Sequence, residues 1–224
     1  DSEAKSPVNV MQPKPSDLDR VRMIKNPLRR SFAAKVVGMD DGIGKLLRAL
    51  ESTNQAKNTL VIFMTAHGGD PKSGGSNRPL RGGKATLFEG GLRVPCLVRL
   101  PGLVPAGTES DAVTCAIDWY PTFAEWLQID DAPTNLDGES ILPVLKGKSF
   151  TRRKPIAWST GSHAQLGRKA WHAVRDGRWK WVSSPGKPAE LFDLHADPDE
   201  SENVIQGNVE IAERLQELSR QTLN

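Results

Sequence analysis

The sequence has 224 residues, 38% hydrophobic and 25% charged, and its 30 lysines and arginines against 27 aspartates and glutamates leave a net charge of +3. That is enough chain to bury a substantial core, and the charges are interspersed instead of gathered into a tract, which argues against a dedicated nucleic-acid binder. No apolar run approaches the roughly 18 residues that a membrane span requires.

Residues 1–30 are polar and rich in proline, with a short helix-like portion at Asp17–Lys25, and read as an irregular lead-in with no likeness to a secretory signal. From Ser31 the apolar residues Phe32, Val36, Met39, Ile43, Leu46, Leu47 and Leu50 recur at spacings of three and four, which predicts an amphipathic helix ended by the polar segment at Asn54. A β-rich run, Leu60–Met64, follows as a buried strand, so a helix feeds a strand through a short connection, as in an α/β sandwich. The segment His67–Gly91 holds eight glycines in 25 residues. Such a loop, after the carboxyl end of a buried strand, is where open α/β sheets place their chemistry.

Val94–Leu100 reads as a second strand, and Ala112–Leu127 as a second helix with Pro121 in its first turn and its aromatic residues in the core. The segment from Asp130 to Lys148 is loop-like around the apolar ILPVL, and the basic Arg152–Lys154 reads as a solvated junction. Ile156–Trp158 is a candidate strand. WHAVRDGRWKWV, Trp171–Val182, alternates around Asp176-Gly177 and predicts a hairpin. Glu190–Leu194 makes a further strand, and Ile211–Leu223 an amphipathic helix. The fold class is therefore α/β, with 31–150 as the α/β part and 151–224 as a small α+β subdomain made of an antiparallel sheet and a helix.

Cys96 and Cys115 sit in apolar sequence without zinc-site spacing and read as buried free thiols, a single disulfide being the alternative. His67, just past a strand end, is placed either to hold a metal or exchange protons, or to be an ordinary polar loop histidine. Lys84 in LRGGK presents an ammonium to an anion, or pairs with a neighbour. Arg81 and Arg93 bind oxyanions, or pair with Glu89. The pattern alone gives an anion-binding loop, without a P-loop, a GxSxG elbow or an HExxH motif.

These segments carry a resemblance. NTLVIFMTAHGG at 58–69 and NRPLRGGKATLFEGGLRVPCLVRLPG at 77–102 resemble the sulfatase family, in particular arylsulfatase-type enzymes of the alkaline-phosphatase-like superfamily. So do FAAKVVGMDDGIGKLLRALE, AIDWYPTFAEWLQI, LDGESILPVLKG, AVRDGRWKWV and ELFDLHADPDESENVI, in that order. The resemblance implies the C-terminal half of an alkaline-phosphatase-like α/β/α sandwich followed by the small subdomain. It implies hydrolysis of sulfate esters, aryl or carbohydrate, by a formylglycine nucleophile with a calcium ion, and a periplasmic or secreted enzyme. By the same likeness Lys84 contacts the sulfate, Arg81 assists in binding it, and His67 takes a metal-ligand place.

The departures are specific. The family's metal-binding aspartate position is Ala66, and neither cysteine lies in a C/S-x-P-x-R motif. Asn9 stands near where a family histidine is expected, while His163, His172 and His195 read as structural or surface residues. The resemblance thus implies a chain inactive alone, which needs an N-terminal sulfatase half as partner. The alternatives are a non-catalytic anion-binding or interaction module and a phosphoester or phosphonate hydrolase of the same superfamily.

Overall fold

A computed structural model describes residues 12–161 and 170–223, so Asn9 and His163 lie outside the described residues. The chain divides into two compact units: residues up to Thr59 together with Gly69–Ser76, and Leu60–Gly68 together with the chain from Asn77 onward.

In the first unit α1, Pro15–Arg20, precedes α2, Pro27–Ser52. Helix α2 begins four residues earlier than the apolar periodicity predicts, because Asn26 and Pro27 make a strong start: the Asn26 side chain accepts the Arg29 N–H at 2.9 Å and Pro27 occupies the first turn. It ends where expected, with Asn54 in the left-handed region at φ 57°. The expected apolar stripe is largely uncovered: Ala34 is buried, but Val36, Met39 and Leu46 are exposed. Gly74, at φ 87°, brings its carbonyl within 2.8 Å of the Arg29 guanidinium.

The second unit contains two sheets. Strands β1, Val61–Met64, and β2, Cys96–Arg99, pair antiparallel, with Val61 opposite Arg99 and Met64 opposite Cys96. The expected burial of β1 is partial: Val61, Ile62 and Phe63 are half-covered and Met64 is exposed. Cys96 is exposed and Cys115 half-buried, and both are free, so the expectation of buried thiols fails for Cys96.

The other sheet orders β3, Ile156–Ser159, β4, His172–Asp176, β5, Trp179–Ser183, and β6, Glu190–Asp193, all antiparallel neighbours. The predicted hairpin is β4–β5, but Asp176 pairs with Trp179, so the turn is Gly177-Arg178, with Gly177 at φ 58° as the first position of a tight hairpin turn demands. Alternation sorts its residues to two faces. Val174, Trp181 and Leu191 pack against Ala212 and Leu215 of α6, Val209–Leu223. Ala173, Val182 and Phe192 pack against Leu87 and Phe88 of the glycine-rich segment, with Trp171 meeting Phe88 edge-on at 5.5 Å. The sheet is therefore covered by a helix on one side and by the candidate loop on the other.

Between the sheets, α4, Trp119–Trp126, starts later than predicted, after a 3-10 turn at Ala116–Asp118. Its buried residues are Thr122 and Ala124; Trp119, Phe123 and Trp126 are half-buried, Trp119 stacking on Phe123 at 5.7 Å, and Tyr120 is exposed. The short α5 is Leu142–Leu145. Asp118 organises this region. Fully buried, its carboxylate accepts the N–H groups of Cys115 at 2.6 Å and Glu139 at 3.0 Å, and both Nη atoms of Arg152 at 2.7 and 2.9 Å. Arg152 is thus not part of a solvated junction: its side chain is 7% exposed, while Arg153 beside it is 90% exposed. Thr122 extends the cluster, donating to the Asp118 carbonyl at 2.5 Å and accepting from Ile141 N–H at 2.9 Å.

Two expectations follow. Asp118→Ala leaves a buried guanidinium and two N–H groups unpaired, and the destabilisation is about 3–5 kcal/mol, read as a fall in the midpoint of denaturant unfolding; a loss under about 1 kcal/mol would contradict this account. The pair β1–β2 has no further strand partner among the described residues, and Met64 and Leu97 are exposed on it. Unpaired strand edges recruit other chains, so the isolated chain self-associates in light scattering, and a monodisperse monomer would argue against it.

Candidate functional site

The segment between β1 and β2 is shaped by close backbone approaches that only glycine permits. Gly68, directly after His67, lies so near Gly90 that an added Cβ would stand 1.7 Å from the Gly90 carbonyl oxygen. Its N–H donates to the Gly91 carbonyl at 2.9 Å. Gly90 donates to the Arg81 carbonyl at 2.7 Å, and a Cβ on Gly91 would meet the Thr86 carbonyl at 2.2 Å. Gly82 and Ala85 take positive φ, 79° and 68°, and Thr86 Oγ1 closes the turn by bonding the Gly83 carbonyl at 2.8 Å and N–H at 3.1 Å. The Asn77 side chain donates to the Gly82 carbonyl at 3.1 Å. The glycines thus draw the end of β1 and the LRGGK turn together.

Lys84 stands at the tip of this turn, exposed, and pairs with no carboxylate among the described residues. Its two flanks are anchored. On one side Arg81 lies over the Phe88 ring, 3.9 Å from its centroid, and its guanidinium bonds both Glu190 carboxylate oxygens at 2.9 and 3.3 Å and the Glu200 carbonyl at 3.2 Å. On the other side Glu89, in α3, Glu89–Leu92, reaches into the sheet face. There the Lys180 ammonium donates to Glu89 Oε1 at 2.7 Å and lies 2.9 Å from Glu200 Oε1, an ion-pair distance without hydrogen-bond alignment. Glu200 Oε2 accepts the Glu89 backbone N–H at 2.5 Å, and Arg175 stands 3.7 Å from Glu89. Lys180 and Glu200 are fully buried. Burial pushes the Glu200 carboxyl above its ordinary range, with Lys180 pulling it back. Burial likewise lowers the Arg175 guanidinium, with Glu89 opposing.

The partners expected for Glu89 are therefore replaced: Lys180 and Arg175 take it, and Arg81 pairs with Glu190 instead. Lys180 was hidden in the sequence by its place in WKWV, where alternation puts it opposite Trp179 and Trp181 on what reads as the polar face, and its counter-charge lies 91 residues away. Glu200 was hidden in a run of acidic residues, DPDESE, that looks solvated.

His67 is exposed, and its Nδ1 lies 2.8 Å from the Gly68 carbonyl. Ala66 beside it is exposed and lines an open groove of about 1020 Å³ together with Arg93, Cys115, Trp119, Trp158 and His195. Calcium takes six to eight oxygen ligands. Among the described residues no group of three or more histidines, cysteines, aspartates or glutamates is gathered to hold a metal, and Ala66 offers a methyl group. The described residues do not by themselves fit a calcium site. His172 is half-buried in β4, with its Nδ1 without a partner, and His195 is exposed.

Comparison with known proteins bears on this loop directly. The family model described as Sulfatase matches residues 4–129, and that described as N-sulphoglucosamine sulphohydrolase, C-terminal, matches residues 83–224. The choline-sulfatase of Rhizobium meliloti (strain 1021) is 29% identical over 180 residues, which are 80% of this chain and 33% of that protein. The crystal structure of Ps i-CgsB in complex with k-i-k-neocarrahexaose superposes with a TM-score of 0.85 at 33% identity, over 96% of this chain and 48% of that one. The phosphonate monoester hydrolase of Agrobacterium radiobacter superposes with a TM-score of 0.63 at 27% identity, over 86% of this chain and 40% of that one. The chain spans about a third of the length of the curated choline-sulfatase. Its fold class is the α/β one expected, an alkaline-phosphatase-like portion followed by a small antiparallel sheet and helix. The two models meet across the glycine-built loop that carries Lys84 and between them take in nearly every element described above: the chain belongs to the sulfatase family.

Proposed function

We propose that this chain is the C-terminal portion of a hydrolase of sulfate esters, in which Lys84 contacts the anionic group of the substrate. The observation that carries the reading is the state of Lys84: an unpaired ammonium at the tip of a turn whose two flanks are fixed by ion pairs, a part-buried one at Arg81 and a buried one at Glu89. A cation held in position without its own counter-ion is preorganised for an anion, and such groups lower the barrier by opposing charge that develops on the transferring group and the departing oxygen. Arg81, whose guanidinium is committed to Glu190, the Glu200 carbonyl and the Phe88 face, acts in this reading by holding the turn and not by binding the anion itself.

The sequence holds no C/S-x-P-x-R motif for a nucleophile, and the described residues gather no oxygen ligands for a calcium ion. In this proposal an N-terminal sulfatase half brings both, and His67, at the end of β1, faces the metal side of the completed site. A second reading, a non-catalytic sulfatase-like module that binds anions, is favoured by Ala66, because a methyl group stands where the resemblance places a metal carboxylate. Hydrolysis of phosphonate or phosphate esters is a third reading, supported by the likeness to the Agrobacterium radiobacter enzyme.

The test is to supply the N-terminal half of a sulfatase relative in trans to this chain and to its Ala66→Asp variant, with calcium, and to assay an aryl sulfate beside aryl phosphate and phosphonate esters. Sulfate hydrolysis by the unmodified pair is the expected result and would exclude the non-catalytic reading; activity on phosphonate alone would replace the sulfate reading with the third. Lys84→Ala then lowers kcat/KM by about a hundredfold or more. Because Lys84 is exposed and unpaired, the same substitution leaves unfolding stability within about 0.5 kcal/mol, which separates loss of chemistry from loss of fold.

A further inference from the structure

We infer that Glu200 is the positioning residue of the Lys84 turn. The inference rests on the proposed role of Lys84 as the anion contact, but the geometry behind it does not. Glu200 lies in a loop 116 residues beyond Lys84, yet it touches both flanks of the turn. Its carbonyl oxygen accepts from Arg81 at 3.2 Å, three residues before Lys84, and its Oε2 accepts the N–H of Glu89 at 2.5 Å, five residues after it. Its other carboxylate oxygen lies 2.9 Å from the Lys180 ammonium, which also holds the Glu89 side chain. No other residue described above joins the two ends of the turn in this way.

The placement of Glu200 is itself enforced. It adopts φ 57° while fully buried, a left-handed conformation that is unfavourable for a residue with a side chain. The surrounding loop holds it there. The Asp197 carboxylate accepts Ser201 N–H at 3.1 Å, Ser201 Oγ at 2.8 Å and Glu202 N–H at 2.9 Å. Asn203 Oδ1 accepts Leu191 N–H at 3.0 Å and Ile205 N–H at 3.1 Å, which ties the same loop to β6. A strained residue fixed by its surroundings and bonded to both arms of an exposed catalytic candidate is a device for setting position. The C-terminal sheet thereby controls where Lys84 stands without contributing a group to the substrate.

The experiment is amide hydrogen exchange on the full chain, compared with Glu200→Ala and Glu200→Gln. Glu200→Ala removes the acceptor of the Glu89 N–H and one counter-charge of Lys180, and the expected result is an increase of about tenfold or more in exchange at residues 82–91. The amides that pair β4 with β5 keep their protection within about twofold in this selective response. The Lys84 amide NMR signal shifts or broadens in the same variant. Glu200→Gln keeps the side-chain volume and one oxygen acceptor but loses the charge facing Lys180, so exchange at residues 82–91 falls between that of the parent and that of Glu200→Ala, a residual rise that loss of packing alone would not give. If Glu200→Ala does not fold, Glu200→Gln decides the matter, since a rise in exchange confined to residues 82–91 is still expected from the lost charge. Unchanged exchange at those residues, or a uniform rise across the second unit, would overturn the inference. None of these readouts requires turnover, so failure of the sulfatase activity would leave the positioning result standing.

Discussion

The ammonium of Lys180 is the constraint around which the second unit is arranged. A fully buried cation is tolerable only if opposite charge and hydrogen bonds replace its water, because the desolvation penalty is several kcal/mol. Glu89 and Glu200 supply that charge, and Arg175 stands behind Glu89, so that two cations face two carboxylates. The three contributing segments are far apart in sequence: the loop after β1, the β4–β5 hairpin and the loop before α6. None of them can bury its charged member alone. The sheet face bearing Ala173, Val182 and Phe192 is therefore completed only when the loop bearing Leu87, Phe88 and Glu89 arrives with it. Burial of the cluster and placement of the Lys84 turn are one event.

The same logic appears a second time, around Asp118. There the carboxylate gathers two backbone N–H groups and the Arg152 fork, and so fixes the approach to α4, the turn at Gly138–Ser140 and the entry to β3. Gly138 must be glycine for this, since a Cβ would come within 2.2 Å of the Ile117 carbonyl. Both clusters use ionic groups to define geometry between segments far apart in the chain. Such groups are weak sources of net stability but strong discriminators, because a misplaced segment would strand a charge without a partner.

These clusters also explain what the sequence made legible. Helix α2, the β4–β5 hairpin, β6 and α6 are written in local periodicity and could be read from it, their ends shifting by a few residues where Asn26-Pro27 or the Gly177-Arg178 turn intervened. The glycine-rich loop was legible as a feature, and the order of the segments before and after it was enough to reveal the family. Partnerships between distant charges were not legible. Arg152 looked solvated beside Arg153 and Lys154, Glu89 looked available to Arg81 or Arg93, and Glu200 was one acid among several. Nothing local distinguishes a buried carboxylate from an exposed one when the cation that neutralises it lies far along the chain. The aromatic residues on α4 are buried only in part for a related reason: Thr122 takes an inner position, where its hydroxyl serves the Asp118 network.

The loop's two ends differ in a way that bears on how a site of this kind is assembled. On the Lys84 side Arg81, Glu89 and Glu200 find their partners within the chain, and Lys84 itself pairs with no carboxylate among the described residues. At the His67 side, Gly68 is locked against Gly90 and Gly91, but the neighbouring residues at the end of β1, Met64, Ala66 and His67, are exposed along strands with unfilled edges. Under the proposed function, completion at that side comes from a partner half, and the edge of β1 offers it a backbone to pair with. Because Gly68 and Gly91 share a hydrogen bond, any chain that orders the end of β1 also acts on the turn carrying Lys84, and the positioning imposed by Glu200 from the opposite side would then be met by a second restraint. The cation would be fixed from both directions only in the assembled protein.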